Sequence, residues 1–140
     1  MEKEEITEGR SNTVQKVVQE ADTSIHYGSG KLEKLFATPS LVALMIKASV
    51  DLIDPTLPDG FISVGKSSQV IHDEPTMLGE TVSVTVKVVE KEGDRIVLEM
   101  TAYDEAGVIG RGSHERHIVN RMSLFKAVKK RVGQLESKDF

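Results

Sequence analysis

One apolar run, LVALMIKASVDLI at positions 41–53, most constrains how this chain can fold. Only Lys47, Ser49 and Asp51 interrupt it, so a helix over these positions would be apolar on nearly every side. Such a helix is buried in a protein core rather than exposed on its surface, and this run is too short to cross a membrane. The sequence therefore predicts a domain that wraps its other elements around one central helix.

The residues directly before the run indicate where the helix begins. Thr38 is a residue type that favours the N-cap, and Pro39 suits the first helical turn because its missing N–H costs no hydrogen bond there. Thr38 therefore has a structural explanation as a cap. A catalytic role is equally open, since the free N–H groups and the dipole of a helix start stabilise negative charge.

After the helix, apolar residues recur with a period of two, which predicts β-strands. Including one strand before the helix, strands are expected over residues 13–21, 61–72, 81–89, 95–103 and 108–120. Gly65, inside the second strand, indicates a bulge or a close approach by another group. Ser123 is expected to cap a surface helix over about residues 122–137. Residues 1 to about 11 are expected to form a loose arm.

These elements fit a single domain that spans all 140 residues, a length sufficient for its own core. The expected class is α+β, with an antiparallel sheet of about five strands around the central helix. One sheet over one helix leaves the other face or an edge of the sheet open. A homodimer is the usual way to cover it.

Composition excludes several classes of function. The net charge of -4 and the low content of aromatic residues do not favour nucleic-acid binding. Cysteine is absent, which excludes disulfides, a thiol nucleophile and cysteine-ligated metal, and no clustered ligands predict a metal site. The N-terminus is polar and lacks the apolar core of a signal peptide. A cytoplasmic protein without nucleic-acid or membrane partners is expected.

Three motifs, in order and at matching spacing, resemble the fluoroacetyl-CoA-specific thioesterase family. They are Phe36-Ala37-Thr38 before the apolar run, Gly65 seven residues before His72, and GSHER at positions 112–116. The resemblance implies the hot-dog fold, in which an antiparallel sheet wraps a central helix. It also implies an acyl-CoA thioesterase that needs no cofactor, releases a carboxylic acid and free coenzyme A, and acts as a homodimer or tetramer.

The resemblance implies roles for individual residues. Thr38 and His72 match a catalytic threonine and histidine, with His72 as the base for attacking water or as the nucleophile itself. The N–H of Gly65 would help hold the acyl carbonyl, and Arg116 matches an arginine near the coenzyme A channel. The acyl side would be lined by Phe36, Leu32, Met45 and Ile46.

Two positions depart from the family. Its catalytic glutamate falls at Ile46, which cannot carry a proton, and its lid phenylalanine falls at Leu32. One hypothesis is that Glu74, or a carboxylate of a partner chain, replaces the glutamate. The alternative is a non-catalytic module that binds acyl-CoA or a small acid. The sequence does not identify the acyl group.

Charged side chains near the C-terminus also have open interpretations. Strand alternation puts His114 and Arg116 on one face and Glu115 and His117 on the other, which fits cross-strand ion pairs better than a metal site. The basic residues of the last helix either form a solvated face or bind the phosphates of coenzyme A. These residues are Lys126, Lys129, Lys130 and Arg131.

Overall fold

The computed structural model describes residues 5–32 and 34–137, and of residues 136 and 137 only the backbone. Its strands and helices are β1 (Ser11–Val17), α1 (Thr38–Ile53), β2 (Phe61–His72), β3 (Thr81–Glu92), β4 (Arg95–Asp104), β5 (Gly107–Asn120) and α2 (Arg121–Ser137). The strands form one antiparallel sheet in the order β1-β3-β4-β5-β2. The predicted α+β class, with five strands and a central helix, is confirmed.

The core lies between α1 and one face of the sheet, called here the inner face. From α1, Leu41, Met45 and Ala48 are fully buried. The apolar positions of β3 and β4 that alternate along each strand are equally buried: Val82, Val84, Val86, Val88, Ile96, Leu98, Met100 and Ala102. Each Val, Leu, Ile or Met side chain among them contributes about 1.5–3 kcal/mol on burial. The nearly all-apolar helix is thus explained by the sheet that covers it.

The two remaining sides of α1 differ. Ala43 and Lys47 share a cavity with Gln15 and Lys16 of β1, so this side of the helix faces β1. Helical spacing puts Val42, Ile46 and Val50 about 100° around the helix from Ala43 and Lys47, toward β2, and all three are half-buried. The helix therefore presents a half-buried apolar row on the side of the sheet edge formed by β2.

Strand β2 is an edge strand that pairs with β5, not with its neighbour in sequence, β3. Its pairing contains a bulge: Gly65 lies opposite Arg116 and Ser67 opposite Glu115, so Lys66 is the extra residue. The bulge that Gly65 indicated is present. The exposed run from Gly65 to Gln69 leaves the outer edge of β2 open for pairing.

Strand β1 begins and ends earlier than predicted. It stops at Val17 because the chain turns there: the N–H of Gln19 donates to the Asp22 carboxylate, and Glu20–Asp22 forms a short 3-10 helix. The expected loose arm is also wrong for its described part. Ile6 is only 2% exposed, and the N–H of Gly9 donates to the Val88 carbonyl. Residues 1–4 of that expected arm lie outside the described residues.

Helix α2 begins at Arg121, whose N–H donates to the carbonyl of Gly60. The Ser123 cap is wrong, because the Asn120 side chain accepts the Ser123 N–H at 3.0 Å and occupies the capping position. Of the described side chains of α2, all but Leu124 are exposed. Nowhere in the described chain is there a helix with the length and apolar character needed to cross a membrane.

Candidate active site

A threonine and a histidine from distant parts of the chain meet at the start of α1. Thr38 is the first helical residue, and the N-cap is Ala37, which makes no side-chain cap. The predicted capping role of Thr38 is therefore wrong. Its Oγ1 lies 2.8 Å from Nδ1 of His72, at the end of β2. The hydroxyl that suits a cap is used instead to hold a histidine ring.

Close pairing between β2 and β5 fixes the position of His72. His72 lies opposite Gly110, where a Cβ would come within 2.6 Å of the Ile71 carbonyl oxygen. Only glycine permits this approach. Just after the strand, the N–H groups of Asp73 and Glu74 both donate to the Ile109 carbonyl. The histidine is thus held by backbone contacts on both sides of its position.

The surroundings of the His72 ring favour its neutral form. Its Nε2 is buried and has no hydrogen-bond partner in the described part of the chain, although Nδ1 is bonded to Thr38. Burial lowers the pKa of His72 below its ordinary value, against smaller raising effects from the Glu74 backbone and the Asp73 charge. A buried nitrogen without a hydrogen-bond partner costs free energy. Nε2 of His72 is therefore expected to contact a ligand or a reacting group.

The pair opens into a cavity of about 250 Å³. The described residues that line it are Ser24, Leu32, Leu35, Phe36, Thr38, His72, Asp73, Glu74 and Pro75. The structure therefore brings together four of the predicted site residues. The Phe36 ring meets the His72 ring edge-on, with 6.4 Å between their centres. Ser24 and Leu35 were not predicted, because pairing of Thr23 with Phe36 and of Leu35 with Met77 has no local sequence signal.

A larger groove of about 690 Å³ lies on the opposite, outer face of the sheet. Gln69, Ile71, Glu99 and Arg111 are among its lining residues, and its described lining includes no histidine. The smaller cavity is therefore the better candidate site, because the perturbed base lies there.

Three other predicted residues lie away from this cavity within one chain. Gly65 is seven residues from His72 along β2, or roughly 20 Å at strand spacing. Met45 is fully buried in the core. Ile46 lies two turns beyond Thr38, about 12 Å along the helix axis. None of the three lines the cavity.

The hypothesis that Glu74 replaces the family's glutamate also finds no direct contact. Glu74 lines the cavity, but one ring nitrogen of His72 is bonded to Thr38 and the other has no partner in the described chain. Glu74 affects the His72 pKa through its backbone. No carboxylate of the described residues therefore orients the ring.

Arg116 is buried and hydrogen-bonded within the chain. It is 5% exposed, and its guanidinium donates to Ser63 through Nε to Oγ and through Nη2 to the carbonyl oxygen, both at 2.8 Å. Ser63 in turn donates to the carboxylate of Asp54. Burial lowers the pKa of Arg116, and the Asp54 charge raises it. Arg116 is thus part of a buried network between β2, β5 and the end of α1. Its contact with coenzyme A stays a prediction.

His114 extends this network and has a defined tautomer. Its Nε2 lies 3.2 Å from Nη1 of Arg116, which can only donate, so Nε2 must accept. In neutral His114 the proton is then on Nδ1, which lies 2.8 Å from the Ser67 carbonyl and 2.6 Å from Ser68 Oγ. Burial lowers the pKa of His114, and the Arg116 charge lowers it further. The Ser68–His114 pair therefore cannot act as nucleophile and base, because Nδ1 has no free lone pair.

On the outer face of the same strand, Glu115 accepts from Arg95 of β4 at 2.8 Å and lies 2.9 Å from His117. These contacts agree with the predicted ion pairing on that face. In the described residues no group of three or more side chains is arranged to hold a metal ion.

The comparisons with known proteins agree with this architecture. A family model described as FlK, fluoroacetyl-CoA-specific thioesterase, matches residues 18–122. A curated fluoroacetyl-CoA thioesterase of Streptantibioticus cattleyicolor is 37% identical over 87 residues. That alignment spans 62% of this chain and 63% of the relative, so it covers less than two thirds of the relative's length.

Solved structures match over more of the chain. A hot-dog-like protein of Thermanaerovibrio acidaminovorans is 35% identical with a TM-score of 0.85, over 90% of this chain and 93% of that one. The fluoroacetyl-CoA thioesterase FlK is 30% identical with a TM-score of 0.84, over 91% and 98%. A thioesterase superfamily member of Thermus thermophilus is 26% identical with a TM-score of 0.85, over 96% and 98%.

Proposed function

Because the chain belongs to the fluoroacetyl-CoA-specific thioesterase family, we propose that it hydrolyses an acyl-CoA thioester to a carboxylic acid and free coenzyme A. The observation that carries the proposal is the His72 ring, held through Nδ1 by Thr38 while Nε2 is buried without a partner in the described chain. Structures of FlK mutants with acetyl-CoA, and with fluoroacetate and coenzyme A, support the substrate class.

In the proposed reaction, His72 is the general base. With its Nδ1–H donated to Thr38 Oγ1, the lone pair of Nε2 takes a proton from water, and the water oxygen bonds to the thioester carbonyl carbon. The tetrahedral intermediate collapses when the C–S bond breaks. The proton on Nε2 then passes to the departing sulfur, which leaves as the free thiol. This sequence needs no carboxylate in the place of Ile46.

Two groups of N–H donors are proposed to stabilise the oxyanion. The first is the start of α1 beside Thr38, where first-turn N–H groups have no partner within the helix. The second is the N–H of Gly65 from a second copy. Both Gly65 and His72 lie on the inner face, because the extra residue Lys66 offsets their odd separation.

A homodimer paired through β2 would bring Gly65 to His72. A two-fold axis perpendicular to the sheet pairs identical edges antiparallel. If it passes through Gln69, so that Gln69 pairs with its own copy and Lys66 stays unpaired as it does against β5, Gly65 of each copy lies opposite His72 of the other. The exposed run from Gly65 to Gln69 reaches this point, so the backbone that would pair is open, which supports the arrangement. The proposed compartment is the cytoplasm, whose reducing conditions suit a chain without cysteine.

The test of this function is thiol release from short, medium and aryl acyl-CoA substrates. The chain has no cysteine, so every thiol detected comes from coenzyme A. Thiol release from at least one of these three classes of acyl-CoA supports the proposal. Ile46 favours the second candidate, an acyl-CoA binding module, because the family's glutamate is missing. Saturable binding without thiol release would establish that candidate instead.

Replacing Thr38 with valine should lower kcat by about 10- to 100-fold. Valine keeps the shape but removes the oxygen that accepts the charged Nδ1–H of His72 when the base holds its second proton, and such a bond is worth about 1.5–3 kcal/mol. Steady-state thiol release measures the effect. Thr38→Ser keeps the hydroxyl and should stay within a few-fold of wild type. Equal losses in both variants would contradict this role.

The pH dependence of kcat/KM should show that His72 works as a neutral base. Burial disfavours its charged form, so activity should persist below pH 6.5 and fall only as the pH drops through the lowered pKa. Asp73→Asn removes a charge that raises this pKa and should move the acid limb to still lower pH. Glu74→Gln leaves the backbone unchanged and should not move it. An acid limb with its midpoint above pH 6.5 would contradict the assignment of His72 as the base. A limb that shifts in Glu74→Gln but not in Asp73→Asn would also contradict it.

A further inference from the structure

Helix α2 presents an apolar row that no other element of the described chain covers. Phe125, Val128, Val132 and Leu135 follow one another at helical spacing, and each is between 47% and 60% exposed. The family match ends at residue 122, so nearly all of this helix lies outside it. An apolar row of this size on an isolated helix indicates a partner surface.

The charge of α2 narrows the choice of partner. The segment 121–135 contains five cations and no Asp or Glu, in a chain whose net charge is -4. Two such helices side by side would repel each other. The helix therefore fits a surface or ligand that is apolar in part and negatively charged in part.

The proposed dimer places such a surface next to α2. The N–H of Arg121 donates to Gly60, so α2 begins at the end of β2 that holds Phe61. In the antiparallel pairing of two β2 edges, Phe61 lies beside the segment that follows His72 of the second copy. Helix α2 thus begins close to the second copy's cavity and far from the cavity of its own chain.

That cavity lacks the cations that its proposed substrate needs. Coenzyme A is a polyanion, but the described lining contains Asp73 and Glu74 and no Lys or Arg. An exposed apolar side chain, Leu32, lines this cavity and also an adjoining cavity of about 370 Å³ with Tyr27. Ile25, which is also exposed, directly follows Ser24, and Ser24 lines both cavities. The apolar rim therefore matches the apolar row of α2, and the lack of positive charge in the cavity lining matches the cations of α2.

We propose that α2 of each chain covers the His72 cavity of the second copy and supplies the cations that bind the phosphates of its acyl-CoA substrate. The apolar row packs on the rim at Ile25, Tyr27 and Leu32. The cations beside the row, Lys129 and Arg131, face the mouth of the cavity. The inference rests on the proposed thioesterase function and its β2 dimer.

Cross-linking tests the placement of α2 without reference to activity. Because the chain has no cysteine, the double variant Leu32→Cys/Phe125→Cys treated with a short bis-maleimide should yield a covalent dimer on a denaturing gel. Ala127 lies on the opposite side of α2, so Leu32→Cys/Ala127→Cys should stay monomeric. Equal dimer yields, or monomer in both, would overturn the placement. Binding of wild type to phosphatidylserine vesicles without the covalent dimer would assign α2 to a lipid surface instead.

Kinetics test the cations. Lys129→Gln/Arg131→Gln should raise KM for acyl-CoA about tenfold, with kcat nearly unchanged and with less sensitivity to salt. Lys130, on the far side of the same helix, is the matched control, and Lys130→Gln should leave KM unchanged. A KM change of equal size in both variants would contradict the proposed contact.

Mixed dimers show whether the contact crosses between chains. A His72→Ala chain with intact α2, paired with a Lys129→Gln/Arg131→Gln chain with intact His72, should restore the wild-type KM in half of the sites. If KM stays high, α2 serves its own chain and the proposal is wrong. If neither the wild type nor any variant releases thiol, the proposed thioesterase function is wrong. The cross-linking result still decides where α2 lies.

Discussion

Replacing His72 with alanine should lower kcat for acyl-CoA hydrolysis by about 10²- to 10⁴-fold, the usual contribution of a positioned general base. In the described chain, one nitrogen of the His72 ring is bonded to Thr38, and the other, Nε2, is buried without a partner. The variant removes both nitrogens. KM should change much less, because the cavity keeps its shape. Steady-state thiol release at saturating substrate measures the loss.

The stability of His72→Ala separates a catalytic from a structural role. The ring is half-buried and its Nε2 makes no hydrogen bond in the described chain, so its removal should leave the oligomeric state and the melting temperature of the protein nearly unchanged. His72→Asn, which can still bond to Thr38 but cannot take a proton, should be as slow as the alanine variant. If either variant keeps more than about a tenth of the wild-type kcat, His72 is not the base.

The second large effect is on stability. Arg116→Met should lower the free energy of unfolding by about 3–5 kcal/mol, as when one member of a buried polar network is removed. Methionine fills much of the space, but Ser63 loses two donors and the lone pair of His114 Nε2 loses its partner. Urea unfolding followed by circular dichroism measures the change.

Arg95 provides the matched control for Arg116. It is an arginine of the neighbouring strand, but its side chain lies on the outer face and pairs with Glu90 and Glu115 in solvent. Arg95→Met should therefore shift the unfolding midpoint far less than Arg116→Met. A stable Arg116→Met protein with a raised KM would instead support the coenzyme A contact that the family resemblance implied.

The sequence carried enough information for the architecture because the decisive signals were local. The apolar run at 41–53 predicted a central helix, and the bounds of β2 agree with the prediction. Alternating valines predicted β3 and the core it forms. Burial in this fold follows the two regular periods, 3.6 and 2, that a sequence displays directly.

The site was predicted less completely, because its contacts are long-range. Thr38 and His72 are 34 residues apart, and a hydroxyl before a helix looks the same whether it caps the helix or holds a ring. Alternation put His114 and Arg116 on one face but could not show that this face is the buried one. Nothing local indicated that Ile6 would be buried in the core.

Whether Gly65 and His72 share a face depends on one residue, the unpaired Lys66. In a regular strand, two positions seven apart point to opposite faces. The odd interval between the glycine and the histidine is therefore a readable signature of a bulged strand, and an even interval would signal a regular one. A natural one-residue deletion that removed the bulge would leave the glycine and the histidine on the same face. An interval of seven without the bulge would instead turn the histidine outward, so the bulge and the odd interval have to occur together.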